Sequence, residues 1–159
     1  MLLWNSSLFD LYGNFLKLLI KFRFPTIQQM TTKEFAQWLS NPTQLQPLVI
    51  DVRTQTEYAV SHLKTAMHID PRESDLAALS TVSKDTPIVV YCSVGYRSAK
   101  LAQQLDRAGF KCVFNLSGGI FQWANEGRPI FKDQHPTQFV HPYNAIWGKL
   151  LKASHHGQP

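Results

Sequence analysis

The run Ile88-Val89-Val90-Tyr91 is apolar at all four positions and constrains the fold of this chain more than any other feature. A strand with no polar face must be covered on both sides, the setting of a parallel sheet packed between helices. Leu48-Val49-Ile50-Asp51-Val52 is a second run of this kind. From residue 25 onward such runs alternate with helical spacing, the signature of an α/β domain with a parallel sheet flanked by helices.

Local signals place the remaining elements. Thr31-Thr32-Lys33-Glu34 and Thr54-Gln55-Thr56-Glu57 read as capping boxes opening two helices. The first helix stops at Asn41-Pro42, and the second ends near His62. Ala66–Ile69 is expected to form a short strand, and Asp70 to Leu79 a short helical segment. After Cys92 a five-residue turn is expected to lead into a helix bearing Leu101, Ala102, Leu105 and Ala108, closed by Gly109. Val113, Phe114 and Leu116 supply another strand. Ser117-Gly118-Gly119 then turns into a last helix with Ile120, Phe121 and Trp123, and Gly127-Arg128-Pro129 ends the module. The division is an amphipathic extension over 1–24, a domain over 25–131, and an extension over 132–159. In the last, Tyr143, Ile146, Trp147, Leu150 and Leu151 fall on one face of an expected short amphipathic helix beside Lys149 and Lys152.

Charge narrows the partners. The net charge is +5, but residues 30–131 hold ten basic and nine acidic side chains, so the excess sits in the two ends. No Lys/Arg run of a nucleic-acid binder appears, which argues against that class. Two cysteines in no zinc-like spacing argue against a disulfide-stapled or metal-held domain and for a reduced, cytoplasmic setting. Leu2, Leu3, Trp4, Leu8, Phe9 and Leu11 are apolar, but no basic stretch precedes them, so a secretory signal is not expected. Asp10, Lys17, Lys21 and Arg23 interrupt any bilayer span. The apolar stripe at either end is expected to pack on its own domain. The alternative is peripheral contact with a membrane surface or a partner.

Cys92 carries the chemistry. In open parallel sheets ligands bind beyond the carboxyl ends of the strands, and Cys92 stands there. The turn Ser93-Val94-Gly95-Tyr96 feeds a helix N-terminus, where backbone N–H groups and the helix dipole make an anion cradle. Such a setting favours the thiolate of a cysteine. Gly95 permits a positive φ, and Arg97 adds a permanent charge with a planar fork suited to an oxyanion. An inert buried thiol is the bland alternative, and the strand–Cys–Gly–Arg–helix context outweighs it.

These residues resemble the rhodanese family, as a single-domain thiosulfate sulfurtransferase type. Cys92-Ser93-Val94-Gly95-Tyr96-Arg97-Ser98 is similar to the family's active-site loop, C-x4-R followed by Ser. Asp51-Val52-Arg53 with Glu57-Tyr58 resembles its upstream signature of Asp-x-Arg followed by Glu and then Phe or Tyr, and Gly118-Gly119-Ile120-Phe121-Gln122-Trp123 its G-G-x-x-x-W close. The resemblance implies a five-stranded parallel sheet and catalysis by Cys92 and Arg97. Ser93, Val94, Gly95 and Tyr96 would form the substrate-binding loop, supported by Asp51, Arg53 and Ser98. It implies a small anionic sulfur donor such as thiosulfate, a Cys92 persulfide, and a thiol, cyanide or protein acceptor, with neither cofactor nor metal. The chain departs from the family's G-H-I-x-G-A at Ser61-His62-Leu63-Lys64-Thr65-Ala66. A positive φ at Thr65 would cost about 1–3 kcal/mol.

Two rivals are weighed. A dual-specificity phosphatase or arsenate reductase also uses a Cys-to-Arg loop, but with five intervening residues where this chain has four. A docking module, non-catalytic or persulfide-carrying, is the other. Asp51 and Arg53 are expected to be structural, with Asp51 accepting hydrogen bonds from loop groups, and Arg97 to reach carbonyls and Asp51. His62 is expected to cap a helix or turn, Trp123 to sit in the core, and His155-His156 to be a frayed tail. Cys112 should lie at the opposite end of the sheet from Cys92, too far for a disulfide.

Overall fold

The computed structural model describes residues 6–70, 72 and 76–158. Its main sheet has five strands, β1 (Gln28–Met30), β2 (Leu48–Asp51), β3 (Met67–His68), β4 (Ile88–Tyr91) and β5 (Val113–Leu116), in the order β1-β5-β4-β2-β3. All pairings are parallel, with Asp51 opposite Tyr91 and Val90 opposite Asn115. The apolar runs thus form the central strand, buried at all four positions, and one of its two neighbours, as a sheet covered on both faces requires.

Each strand sends alternate side chains to two cores. Ile50, Val52, Ile88, Val90 and Cys92 join Leu16 and Ile20 of helix α1 (Ser6–Arg23), Phe24 just after it, and Ala99, Ala102 and Leu105 of α4 (Tyr96–Arg107). Val49, Val89, Tyr91 and Leu116 join Phe35 of α2 (Thr32–Ser40) and Ile120, Phe121 and Trp123 of α5 (Gly119–Asn125). Between β2 and β3 runs α3 (Gln55–Val60). Both expected capping boxes are present, with Thr31 and Thr54 as N-caps and Glu34 and Glu57 reaching back to them.

The end segments are part of these cores. Leu16 and Ile20 are buried on one face of the sheet, and Val140 and Leu151 on the other. A hairpin of β6 (Ile130–Lys132) and β7 (His135–Thr137) straddles position 131, its two-residue turn made by Asp133 and Gln134 at φ 47° and 67°.

Three expectations need correction or narrowing. In place of an amphipathic helix over 143–151 there are two single 3₁₀ turns, Trp147–Leu150 and Ala153–His155. Tyr143 takes φ 67°, and Asn144 Oδ1 accepts from the N–H groups of Ile146 and Trp147, so local side-chain bonding replaces a helical ladder. Leu151 is buried while Ile146 is 73% exposed, so no single stripe forms. Nor are His155 and His156 frayed. The His155 ring bonds the Gln138 carbonyl at 2.8 Å, the His156 ring that of Gly148 at 2.8 Å, and Val140 bridges to this segment through backbone hydrogen bonds. Of the segment Asp70 to Leu79, Leu76–Leu79 forms a 3₁₀ turn, while residues 71 and 73–75 lie outside the described residues.

Thr65 has φ 61°, the conformation its place in the turn before β3 demands, and its side chain is exposed. Replacing it with Gly removes the left-handed strain of an L-residue. Thr65→Gly is expected to raise stability by about 1 kcal/mol after the entropy of the glycine is offset. Urea unfolding midpoints would check this, and a lower midpoint would show that the turn carries no strain.

Candidate active site

Cys92 follows directly on β4, at the carboxyl edge of the sheet's central strand, and is 1% exposed. The helix after it starts earlier than expected. Tyr96 is already helical and Gly95, at φ 105°, is its N-cap, so Tyr96, Arg97 and Ser98 form the first turn of α4 rather than a loop. The Cys92 Sγ accepts from the Gly95 N–H at 3.1 Å and lies 3.5 Å from the Ser98 hydroxyl donor. The positive end of α4 therefore faces the sulfur.

The loop carbonyls are held on its other side. Ile120 N–H donates to the Cys92 carbonyl at 2.9 Å and Phe121 N–H to that of Ser93 at 3.1 Å, both from the first turn of α5. A Cβ on Gly119 would fall on the carbonyl oxygens of Cys92 and Ser93, so no other residue fits without moving the loop. Buried Asn115, at the end of β5, donates to the Gly95 carbonyl at 3.0 Å and to Gln29 at 2.9 Å. Among the described residues no group of His, Cys, Asp and Glu side chains is placed to hold a metal ion.

Arg97 does not reach Asp51. Its two terminal nitrogens donate to the two oxygens of Glu57 at 2.8 Å each, and Nη2 also donates to Ser93 Oγ at 2.9 Å. Ser93 Oγ donates to Glu57 Oε1 at 2.9 Å, while Glu57 Oε2 accepts from Thr54 N–H and Oγ1. Burial alone would raise the Glu57 pKa, but the Arg97 fork, the Thr54 N–H and the charge of Arg53 hold it down at about 2. Burial likewise opposes the charge of Arg97, and Glu57 with Cys92 nearby outweighs it, raising the arginine's pKa.

Asp51 and Arg53 form a second, fully buried pair at 2.7 Å. Asp51 accepts from the Arg53 backbone and guanidinium and from the Tyr91 hydroxyl at 2.6 Å, and Arg53 donates to the Ser61 carbonyl. Burial first, then the charge of Asp51, pushes the Tyr91 phenol well above its ordinary range. That phenol accepts from Leu63 N–H, so the pair fixes the loop between α3 and β3. Asp51 thus accepts from neighbouring groups as the sequence reading expects, and neither it nor Arg53 touches Cys92. The His62 ring meets the Tyr58 carbonyl at 3.2 Å, as a helix-end contact. Trp123 is core, and Cys92 and Cys112 are both free, the latter exposed.

Both ends of the chain reach the site. The Phe24 ring meets Tyr96 edge-on at 5.5 Å, and Tyr143 lies under the Arg97 guanidinium at 4.7 Å. Val94 lines a cleft of about 830 Å³ bounded by α1, α5 and the C-terminal turns. Glu57 and Asn115 are the functional positions that sequence reasoning missed as loop anchors. Glu57 was visible as a capping residue and as the acid three residues beyond Asp51-Val52-Arg53-Thr54, whereas a lone Asn in a strand carries no signal.

Glu57 makes acid sensitivity testable. Its pKa is lowered from 4.5 to about 2, so its contribution is complete above pH 4.5 and fades as pH falls toward 2. The magnitude is on the order of 3 kcal/mol. Glu57→Gln should therefore be less stable at pH 7 and lack most of the wild type's loss between pH 4.5 and pH 2. Equal slopes in pH-dependent urea unfolding would remove Glu57 from this role.

Comparison with known proteins adds a family to the geometry. The family model for the Rhodanese-like domain matches residues 31–126. A sulfurtransferase of Allochromatium vinosum is 31% identical over 104 residues, 65% of this chain and 94% of that protein. The thiosulfate sulfurtransferase GlpE of Coxiella burnetii is 35% identical over 94 residues, 57% of this chain and 76% of its own. The crystal structure of the BH2092 protein from Bacillus halodurans superposes with a TM-score of 0.65 over 92% of this chain and 99% of its own, at 21% identity, a likeness of fold. With the five-stranded parallel sheet and the strand–Cys–helix site in place, the chain belongs to the rhodanese-like domain family, alongside relatives named sulfurtransferases.

Proposed function

We propose that the chain is a sulfurtransferase that carries sulfane sulfur on Cys92, with thiosulfate or a similar small anion as donor. The observation that carries this reading is the Cys92 sulfur at the end of β4, facing the Gly95 N–H and the positive end of α4. In the first step the Cys92 thiolate attacks the outer sulfur of thiosulfate. A new S–S bond forms, the donor's S–S bond breaks, and sulfite leaves with the bonding pair. In the second, a thiolate or cyanide attacks the outer sulfur of the persulfide. Cys92 leaves as thiolate, and the product is a persulfide or thiocyanate. Such double displacement gives ping-pong kinetics.

The Arg97 geometry favours this reading over phosphate ester hydrolysis. An arginine that cradles a tetrahedral oxyanion must offer its fork to the substrate, and here both terminal nitrogens are taken by Glu57. Arg97 is thus a positioning residue that braces Ser93 and the first turn of α4, while its charge remains near an incoming anion.

Intact-mass analysis after thiosulfate treatment is expected to show one added sulfur atom, mapped to Cys92 and absent from Cys92→Ser. Sulfur mapped mainly to exposed Cys112 would defeat the mechanism.

Bracing also separates two arginine variants. Arg97→Lys keeps the charge but loses the two-pronged bond, so its kcat should fall by about tenfold and that of Arg97→Ala further. If Arg97→Lys kept full kcat and Arg97→Ala raised only KM for thiosulfate, donor capture would be the role instead.

A further inference from the structure

Helix α1 has two apolar faces, and only one is used. Leu16 and Ile20 are buried against the sheet, with Phe24 just beyond the helix. About a third of a turn away, Leu11, Phe15, Leu18 and Phe22 follow i, i+4, i+7 and i+11 along the other face, joined by Tyr12 and Leu19. Their exposures run from 45% for Leu19 to 84% for Phe22. Six large apolar side chains on one helical stripe exceed the scattered apolar residues of an ordinary surface.

We propose that this face of α1 is a membrane-surface anchor that seats the protein on an anionic bilayer. Charge identifies the occupant. Lys21 lies on one flank of the stripe and Arg23 on the other, with Asp10 as the lone acidic residue of the helix. Lys17, one turn before Lys21, faces the cleft between α1 and the C-terminal turns, together with Lys149 and Lys152. A helix with an apolar outer stripe and basic flanks lies in the headgroup layer with its apolar side chains inserted. No described helix is long and apolar enough to cross a membrane, so α1 lies on the surface.

A second copy of the chain fits this face less well. Self-packing would gather the basic flanks of two copies, which a layer of anionic headgroups neutralises instead.

The inner face of α1 shares a core with Cys92, and Phe24 touches Tyr96. Seating α1 in the headgroup layer therefore holds the active-site edge about one helix diameter, ~10 Å, below the lipid surface. This placement is independent of which sulfur donor the site uses.

Flotation of the 159-residue chain with phosphatidylcholine vesicles, with and without a quarter phosphatidylglycerol, tests the anchor. The wild type is expected to float with the anionic vesicles and much less with the neutral ones. Raising salt from ~0.1 M to ~1 M, which shortens the screening length to ~3 Å, should weaken binding several-fold. Leu18→Glu/Phe22→Glu, at exposed positions, should lower the bound fraction at least about tenfold with an unchanged unfolding midpoint. Lys21→Glu/Arg23→Glu should lose the preference for anionic lipid. Failure of the wild type to float with any vesicle would overturn the proposal. So would equal flotation of the Leu18/Phe22 variant, or equal binding to neutral vesicles. A dimer in lipid-free solution that the Leu18/Phe22 variant dissolves, without vesicle binding, would assign the face to a second copy.

Discussion

A buried carboxylate needs donors on both oxygens, and the way Glu57 obtains them sets the arrangement of everything around Cys92. Five hydrogen bonds converge on it, from Thr54 N–H and Oγ1, from Ser93 Oγ, and from both prongs of Arg97. They join the start of α3, the residue after Cys92 and the first turn of α4. Removing any one would leave part of a charge buried without compensation, which is costly in a low-dielectric setting. The same carboxylate thus caps a helix, orients the loop and pairs with the arginine in the first turn of α4.

Much of the fold was legible because its signals are local and periodic. The runs at Leu48–Asp51 and Ile88–Tyr91, the capping boxes at Thr31 and Thr54, and Gly109 after α4 each report on neighbours within a few residues. Thr65 was legible in the same way, as a residue standing where the family places glycine, and its φ of 61° follows. The partner of Arg97 was not. Glu57 and Arg97 are 40 residues apart, and only the fold brings them to 2.8 Å. The sequence therefore offered Asp51, a carboxylate on the strand next to β4, which in the structure is saturated by Arg53 and Tyr91. The fold instead separates two pairs, Glu57 with Arg97 and Asp51 with Arg53.

The ends show the opposite failure. Residues 143–151 carry apolar side chains at helical intervals, but their backbone follows side-chain acceptors instead. Asn144 bonds the start of one 3₁₀ turn, and Asn125 of α5 accepts from Lys152 N–H and donates to the Leu150 carbonyl. Contacts of this kind leave no period in a sequence. In α1 the difficulty was different, since a helix apolar over more than half its circumference does not announce which part meets the domain. Burial of Leu16 and Ile20 settles the inner face, and what remains outside is too apolar to be an ordinary solvated surface.

The chemistry of the loop depends finally on where its carbonyls point. A peptide that offers its N–H to a sulfur anion has a C=O of opposite polarity close by, and that oxygen must be turned away and satisfied. In this chain α5 accomplishes it for Cys92 and Ser93 through Ile120 and Phe121, and Asn115 does so for Gly95. The loop is thereby polarised, with carbonyls bound on the far side and the Gly95 N–H and Ser98 hydroxyl left to the sulfur. This requires α5 to approach so closely that a Cβ at its first residue would collide with two carbonyl oxygens, which is why Gly119 opens that helix. The glycine 27 residues beyond Cys92 and the glycine three residues after it are therefore parts of one device. One permits the helix to hold the carbonyls, and the other permits the N–H to turn inward.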